Sequence, residues 1–182
     1  RYVVVTGVQT CALPISDYLG GFTVSIVGTE ALAEKYKAAG DDYNAIMVQA
    51  LSDRLAEAFA EHLHELIRRE YWGYQADENL TNDEMIKEKY VGIRPAPGYP
   101  ACPEHTEKGK LFEWIGTGDA IGTKLTESYA MWPASSVSGF DYSHPGSEYF
   151  NVGKISSDQL ESYAERKAWD MKTAEKWLNP NL

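Results

Sequence analysis

The sequence lacks several features that would place it in a large class of proteins. Basic residues are in the minority, with 17 Lys and Arg against 27 Asp and Glu, so the net charge is −10. This excess of negative charge argues against binding to nucleic acid or to an anionic membrane surface. No apolar run approaches the roughly 20 residues of a membrane span, and no signal peptide is recognisable at the start. Two cysteines do not make a disulfide framework, so we expect a reducing, cytoplasmic setting.

Short motifs that hold phosphates, dinucleotides or metals are also missing. The sequence contains no Gly-x-Gly-x-x-Gly, no Walker loop and no Gly-x-Ser-x-Gly nucleophile elbow. His62 and His64 are separated by about 200° of helical rotation, so they cannot share a metal ion. Cys102 and His105 have no second pair of ligands. We therefore predict neither a metal site nor a catalytic nucleophile.

The length and the hydrophobic content of the chain are sufficient for one folded domain. The chain has 182 residues, of which 43% are hydrophobic, and it includes 12 Tyr and 5 Trp. The stretch 1–16, RYVVVTGVQTCALPIS, resembles translated sequencing-adapter read-through. We predict that 1–16 is a non-native leader, that the natural protein continues differently upstream of Asp17, and that 17–182 forms the folded unit.

Helical patterns occupy much of the chain. Good helix formers predict a short helix over 30–39, and Asp41 or Asp42 then caps a long helix that reaches about Tyr71. Apolar residues three and four apart mark the long helix as amphipathic. These residues are Tyr43, Ile46, Met47, Ala50, Leu51, Ala58, Leu63, Leu66 and Ile67. Other predicted helices cover 81–90, 106–114, 156–168 and 173–178; capping boxes mark the first and third of these.

Strand signals are shorter and lie mostly in the second half. The stretch 17–27 is strand-like at its end. Runs of β-branched and aromatic residues over 125–132, 137–142 and 149–155 are separated by turn signals and predict an antiparallel meander. Such short strands must pack on the helices. The predicted fold class is therefore α+β, with an antiparallel sheet packed with helices and one long central helix.

The stretch 94–103, RPAPGYPACP, is the most constrained part of the chain. Its four prolines fix the backbone and remove four donors, so it forms a stiff, extended loop with Gly98 as the one flexible point. Two interpretations remain open from the residues alone, a plain connector or one wall of a ligand site. Glu57, Glu61 and Glu65 share one face of the long helix, and this acidic row is either a solvated face or the source of one ligand-binding carboxylate.

Several long stretches closely resemble one family, the C-terminal activation domain of cobalamin-dependent methionine synthase. The stretches are RPAPGYPACP, KLTESYAMWP, Ser-His-Pro at 143–145, Tyr149-Phe150, DDYN, DRLAEAFAE and YWGY. The likeness runs from Asp17 to Leu182. It implies a curved antiparallel sheet with helices, which agrees with the absent dinucleotide motif.

The resemblance implies that the chain binds S-adenosylmethionine and supports the reductive methylation of cob(II)alamin to methylcobalamin in methionine biosynthesis. Cobalamin would be held by another domain of the same polypeptide, and a flavodoxin-type protein would be the reductant. The modules for homocysteine, folate and cobalamin are not in this sequence, so we expect the isolated fragment to be inactive. Two alternatives are a non-catalytic module that docks on a corrinoid protein and the activation domain of another corrinoid methyltransferase.

The resemblance also implies a set of ligand-binding residues. They are Arg94, Ala96, Gly98, Tyr99, Tyr149, Phe150 and Glu57. The planar fork of Arg94 suits the carboxylate of the methionine moiety, Ala96 contributes backbone, and Glu57 matches an acid near the sulfonium. An acidic ligand residue from the N-terminal part of the family's domain is not in this chain. Because flavodoxins are acidic, docking would need a basic patch, for which Arg68-Arg69 and Lys87 with Lys89 are candidates.

Overall fold

The computed structural model describes residues 18–182, so the predicted leader lies outside the described residues. The elements are β1 (Gly20–Ser25), α1 (Thr29–Ala38), α2 (Asp42–Leu66), α3 (Asn82–Ile86), α4 (Glu107–Ile115), α5 (Thr117–Ile121), β2 (Lys124–Leu125), β3 (Met131–Trp132), β4 (Ser136–Asp141), α6 (Ser157–Lys167) and α7 (Met171–Leu178). This mixture of helices and antiparallel strands confirms the predicted α+β class. Within 18–182, no helix is long and apolar enough to cross a membrane.

The long central helix is confirmed. It begins where the carboxylate of Asp41 accepts a hydrogen bond from the backbone N–H of Asn44 at 3.0 Å, as an N-cap does. The 25 residues of α2 span about 38 Å. A π-helical turn over Ile67–Tyr71 continues the rod.

The main sheet joins two distant parts of the chain. β1 pairs with β4 in antiparallel register, from Gly20 opposite Asp141 to Ser25 opposite Ser136. One face of this pair packs against α2 and forms the main hydrophobic core. The buried core residues are Phe22, Val24, Ala56, Ala60 and Val137. The sheet and the long helix therefore form the scaffold on which the rest is mounted.

The buried face of α2 differs from the one that the large apolar residues predict. The buried positions are mainly small: Ala45, Ser52, Ala56, Ala60 and His64. Large apolar side chains of the predicted row stay exposed, including Tyr43, Ile46 and Leu51 at 72%, 64% and 56%. The helical period was correct, but size rather than hydrophobicity selects the face, because small side chains allow a helix to lie close to the sheet.

The predicted meander is wrong. Within 125–132, Thr126 accepts a backbone hydrogen bond from Tyr129 and donates one to Ala130, which folds the run into a hairpin of β2 and β3 instead of one strand. β4 pairs with β1 and not with its sequence neighbours. A periodic pattern does not reveal which partner a strand takes, since pairing depends on distant residues.

The third predicted strand, 149–155, is also absent. Its backbone bonds go to two different partners: Val152 donates to the carbonyl of Pro100 at 3.0 Å, and Ile155 donates to the carbonyl of Asn181 at 2.8 Å. One backbone bond to each partner is not a ladder, which needs a repeated pattern of bonds with the same strand. A smaller difference is that α3 ends at Ile86 rather than near Tyr90.

The C-terminal helices form a second, smaller core. The predicted capping box joins Ser156 and Gln159 at the start of α6. The buried residues of this core are Leu160, Ala164, Ala174 and Leu178. At the end of α6, the ammonium of Lys167 donates to Glu104 at 2.8 Å and to Glu107, and so ties this core to the segment after the proline-rich loop.

The buried face of α2, which consists mainly of small residues, leads to a prediction on stability. Ala60→Leu overfills the contact with β1 and β4 and should lower the free energy of unfolding by about 1–3 kcal/mol. Leu55→Ala, at a position that is 57% exposed, should change it by less than about 0.5 kcal/mol. Urea unfolding followed by circular dichroism measures both. A larger loss for Leu55→Ala than for Ala60→Leu would contradict the observed packing.

Candidate ligand-binding site

The start of the proline-rich loop 94–103 is attached to the outer edge of β4 through an isolated β-bridge and one further backbone bond. Ile93 and Tyr142 exchange backbone hydrogen bonds of 3.0 and 2.9 Å, and the N–H of Phe140 donates to the carbonyl of Pro95 at 3.0 Å. Proline has no N–H but keeps its carbonyl, so it suits an edge position at which it only accepts. These bonds hold Arg94 at a defined place beside the sheet.

The tip of the loop turns tightly at Gly98. The N–H of Gly98 donates to the carbonyl of Cys102 at 2.7 Å, and the N–H of Cys102 donates to Tyr99 at 2.9 Å. Gly98 has a φ of 103°, and a Cβ there would lie 2.4 Å from the His105 ring. Only glycine satisfies both the backbone angle and this close approach. The predicted role of Gly98 in shaping the chain therefore has a structural basis.

A cavity of about 390 Å³ lies between this loop, α2 and the sheet. Six of the seven predicted site residues line it: Glu57, Arg94, Ala96, Tyr99, Tyr149 and Phe150. Gly98 does not line the cavity. The volume falls within the roughly 300–1,000 Å³ of small-molecule sites. The structure thus brings together residues from three separated parts of the sequence.

Arg94 is held from two sides. Its Nη2 donates to Oε2 of Glu61, and the two side chains are 18% and 31% exposed. Its backbone N–H donates to the hydroxyl of Tyr149 at 2.9 Å, and that oxygen lies 3.3 Å from the hydroxyl of Tyr90. Burial disfavours the charge of Arg94, but Glu61 and the two phenols outweigh this and raise its pKa. Arg94 therefore stays charged.

Tyr149 supports the site in a way that the sequence does not indicate. Its hydroxyl is occupied by the backbone of Arg94 and by Tyr90, so it orients Arg94 as well as lining the cavity. Tyr99 donates instead to Oε1 of Glu57 at 3.3 Å across the mouth. Burial, followed by this carboxylate, raises the pKa of Tyr99. Phe150 is 60% exposed and presents an aromatic ring at the rim.

Behind the cavity lies a layer of buried polar groups. Arg68 is fully buried and donates two hydrogen bonds, of 2.7 and 2.6 Å, to Glu78, and its guanidinium lies 4.4 Å from the ring centre of Tyr90. Arg68 is therefore unavailable for the basic docking patch that the sequence suggested. His64 is buried edge-on against Tyr90, and burial, then Arg68 and Arg94, lowers its pKa to about 3.

A larger groove, of about 1350 Å³, lies on the other side of the loop. Its walls include Leu111, Trp114 and Phe140, and it shares Tyr149 and Phe150 with the smaller cavity. Arg94, Tyr99 and Glu57 do not line it. Its volume also exceeds the usual range for a small molecule. We therefore take the smaller, more polar cavity as the candidate site.

Two residues that build the site were missed from the sequence. In the sequence, Glu61 is only one member of an acidic row on the long helix, and no pattern marks Tyr90. The signal for Glu61 was the repulsion between like charges at i, i+4, which has to be offset by a partner. That partner, Arg94, is 33 residues away. Within 18–182, no group of three or more His, Cys, Asp or Glu could hold a metal ion.

The fold and the cavity define a class: an α+β domain that offers a charged, aromatic pocket and no metal-binding cluster among residues 18–182. The family model described as "Vitamin B12 dependent methionine synthase, activation domain" matches residues 8–168. The chain belongs to this family.

A solved structure is similar over most of the chain. It is titled "Crystal Structure of the MetH Reactivation Domain bound to AdoHcy", has 56% sequence identity and a TM-score of 0.87, and covers 90% of this chain. This chain spans 51% of the solved chain, or about half its length.

Asp141 ends β4 directly below the loop and is 1% exposed, and its Oδ1 has no hydrogen-bond partner. Burial raises its pKa from the usual 3.8 to about 7, against the opposing effect of Arg94 and Arg68. In the unfolded chain this carboxyl ionises near pH 4, whereas in the folded chain it stays protonated up to about pH 7. The free energy of unfolding should therefore fall as the pH rises from about 4 to 7. Below pH 4 the carboxyl is protonated in both states.

Comparison with Asp141→Asn isolates this effect, since His64 and other groups contribute equally to both proteins. Relative to the variant, the wild type should lose up to about 1.4 kcal/mol of unfolding free energy per pH unit between pH 4 and 7. Urea unfolding at half-unit steps from pH 4.5 to 8 measures the difference. If the free energies of unfolding of the two proteins changed with pH in parallel, the pKa of Asp141 would not be raised in the folded protein.

Proposed function

We propose that this chain binds S-adenosylmethionine and serves the reductive methylation of cob(II)alamin to methylcobalamin within methionine synthase. One observation carries the proposal: Arg94, Tyr99, Tyr149 and Glu57 line a single cavity of about 390 Å³. Support comes from the 56% identical reactivation domain, whose title describes it as bound to AdoHcy, the demethylated form of the same ligand.

The cavity suits each part of this ligand. The guanidinium of Arg94 would take the carboxylate of the amino-acid end, as a planar donor does. The carboxylate of Glu57 would lie near the sulfonium and offset a cation that has left bulk water. Phe150 and Tyr99 offer aromatic surfaces for the adenine ring. Backbone groups near Ala96 complete the wall formed by the loop.

The chain's own contribution to the reaction would be positioning and electrostatics, since the sulfonium already carries a good leaving group. Cobalamin, held by another domain of the same polypeptide, would supply the metal centre to which the methyl group is transferred. A flavodoxin-type protein would be the reductant, and nucleic acid is not a partner. The proposal includes a cytoplasmic setting, which the low cysteine count supports, and no methionine synthase activity for the chain alone.

Arg94→Lys tests the proposed contact with the ligand carboxylate. Lysine keeps a cation for Glu61 but lacks the planar fork, so the Kd for S-adenosylmethionine should rise at least about tenfold. Isothermal titration calorimetry measures the Kd, and thermal melting confirms that the variant is folded.

Arg69→Lys is the matched control, because Arg69 forms an exposed pair with Glu65 outside the cavity. It should bind like the wild type. Equal Kd values for Arg94→Lys and wild type would remove Arg94 from the ligand contacts. Failure of the wild type to bind either S-adenosylmethionine or S-adenosylhomocysteine would overturn the proposed function.

A further inference from the structure

Glu61 is the acidic partner that α2 supplies to the candidate site. It lies one turn after Glu57 on the same helical face, and its Oε2 accepts from Nη2 of Arg94. Among residues 18–182, Glu61 is the one carboxylate hydrogen-bonded to this guanidinium. The positive charge of Arg94 is therefore already offset before any ligand arrives.

The remaining charges around the cavity are negative. Glu57 and Glu88 also line it, and Arg94 is its one basic lining residue within the described part of the chain. The contact that Glu57 receives from Tyr99 comes from a neutral phenol and offsets no charge. Three carboxylates thus face one guanidinium, and the cavity presents net negative charge.

The buried layer behind the cavity does not cancel this charge. The charge of Arg68 is offset by Glu78, to which its Nε and Nη2 donate. His64 is neutral at physiological pH because burial lowers its pKa to about 3. Asp141, whose pKa is raised to about 7, adds further negative charge when ionised. No unpaired cation from this layer reaches the site.

We propose that Glu61 is a specificity-determining residue that makes the cavity select the methyl donor, which has a net positive charge, over its product, which has no net charge. This inference rests on the proposed function. S-adenosylmethionine carries a sulfonium, an ammonium and a carboxylate, so its net charge is +1. S-adenosylhomocysteine has a neutral thioether and no net charge. A cavity with net negative charge therefore attracts the first more strongly, while Arg94 contacts the carboxylate that both share.

The geometry distinguishes this role from simple competition with the ligand. Oε1 of Glu61 and Nε of Arg94 are both buried without partners, so part of this pair is inaccessible to a ligand that enters from solvent. Nη2 and Oε2 form the bond, and a ligand carboxylate would use the remaining guanidinium edge. Under this inference Glu61 keeps its bond to Arg94 and acts on the ligand through its charge.

The test compares the two ligands by titration calorimetry on the 182-residue chain, in wild type and Glu61→Gln. Glutamine keeps an acceptor for Arg94 and removes only the charge. The wild type should bind S-adenosylmethionine more tightly than S-adenosylhomocysteine. The measured ratio is the Kd for S-adenosylhomocysteine divided by the Kd for S-adenosylmethionine. In Glu61→Gln this ratio should fall about three- to tenfold, chiefly through weaker binding of the cationic ligand. Rising salt should reduce the wild-type ratio towards that of the variant.

Glu65→Gln is the matched control, since Glu65 shares the acidic row but pairs with Arg69 outside the cavity. Its ratio should equal the wild-type ratio. Glu88→Gln, at an exposed lining position, should lower the ratio in the same direction, and it serves if Glu61→Gln does not fold.

The outcomes separate the two proposals. A wild type that binds both ligands with a ratio unchanged in folded Glu61→Gln, or in Glu88→Gln where Glu61→Gln does not fold, overturns the selectivity inference and leaves the proposed function standing. Tighter binding of both ligands to Glu61→Gln would identify Glu61 as a competitor and also overturn the inference. No binding of either ligand by wild type overturns both proposals.

Discussion

The backbone pairing between the proline-rich loop and the outer edge of β4 is the contact on which the candidate site depends. The exchange between Ile93 and Tyr142, which is an isolated β-bridge, and the bond from Phe140 to Pro95 attach the loop to the edge of the sheet. Arg94 lies between these two attachment points, so its position depends on the position of β4. The pairing with β1 and the hydrophobic core against α2 fix β4 in turn. Because the proline rings already restrict φ in the unfolded chain, the loop loses little conformational entropy when it takes this place.

Charge is distributed over the interior as matched pairs. Arg68 with Glu78 and Arg94 with Glu61 each place a guanidinium against a carboxylate, and Tyr90 lies between the two pairs, stacked on one and linked to the other through Tyr149. Breaking such a pair leaves an unpaired buried charge, which is far more costly than never having formed it. The side chains that build the ligand cavity therefore also contribute to the stability of the fold.

Local patterns predicted what depends on neighbouring residues. The aspartate cap of α2, the capping boxes at Thr81 and Ser156, and the stiffness of the loop all rest on contacts within a few positions. The partner of β1, more than 100 residues away, and the pairing of Glu61 with Arg94 depend on the tertiary fold, which one sequence pattern does not encode. The face of α2 was misjudged for a related reason, since alanines rather than larger apolar residues meet the sheet. The site residues came from a resemblance between motifs, and the structure adds the reasons for their arrangement.

The small C-terminal core has a bearing on how this domain is best delimited for expression. The family match ends at residue 168, yet Ala174 and Leu178 are buried against α6 and complete that core. A chain cut at residue 168 would expose Leu160 and Ala164 to water and loosen the helix end that carries Lys167. Its ammonium would then no longer restrain Glu104 and Glu107, just beyond the ligand loop. The boundary drawn by sequence similarity thus falls inside the cooperative folding unit, and an engineered version of the domain needs its last fourteen or so residues to keep the loop in shape.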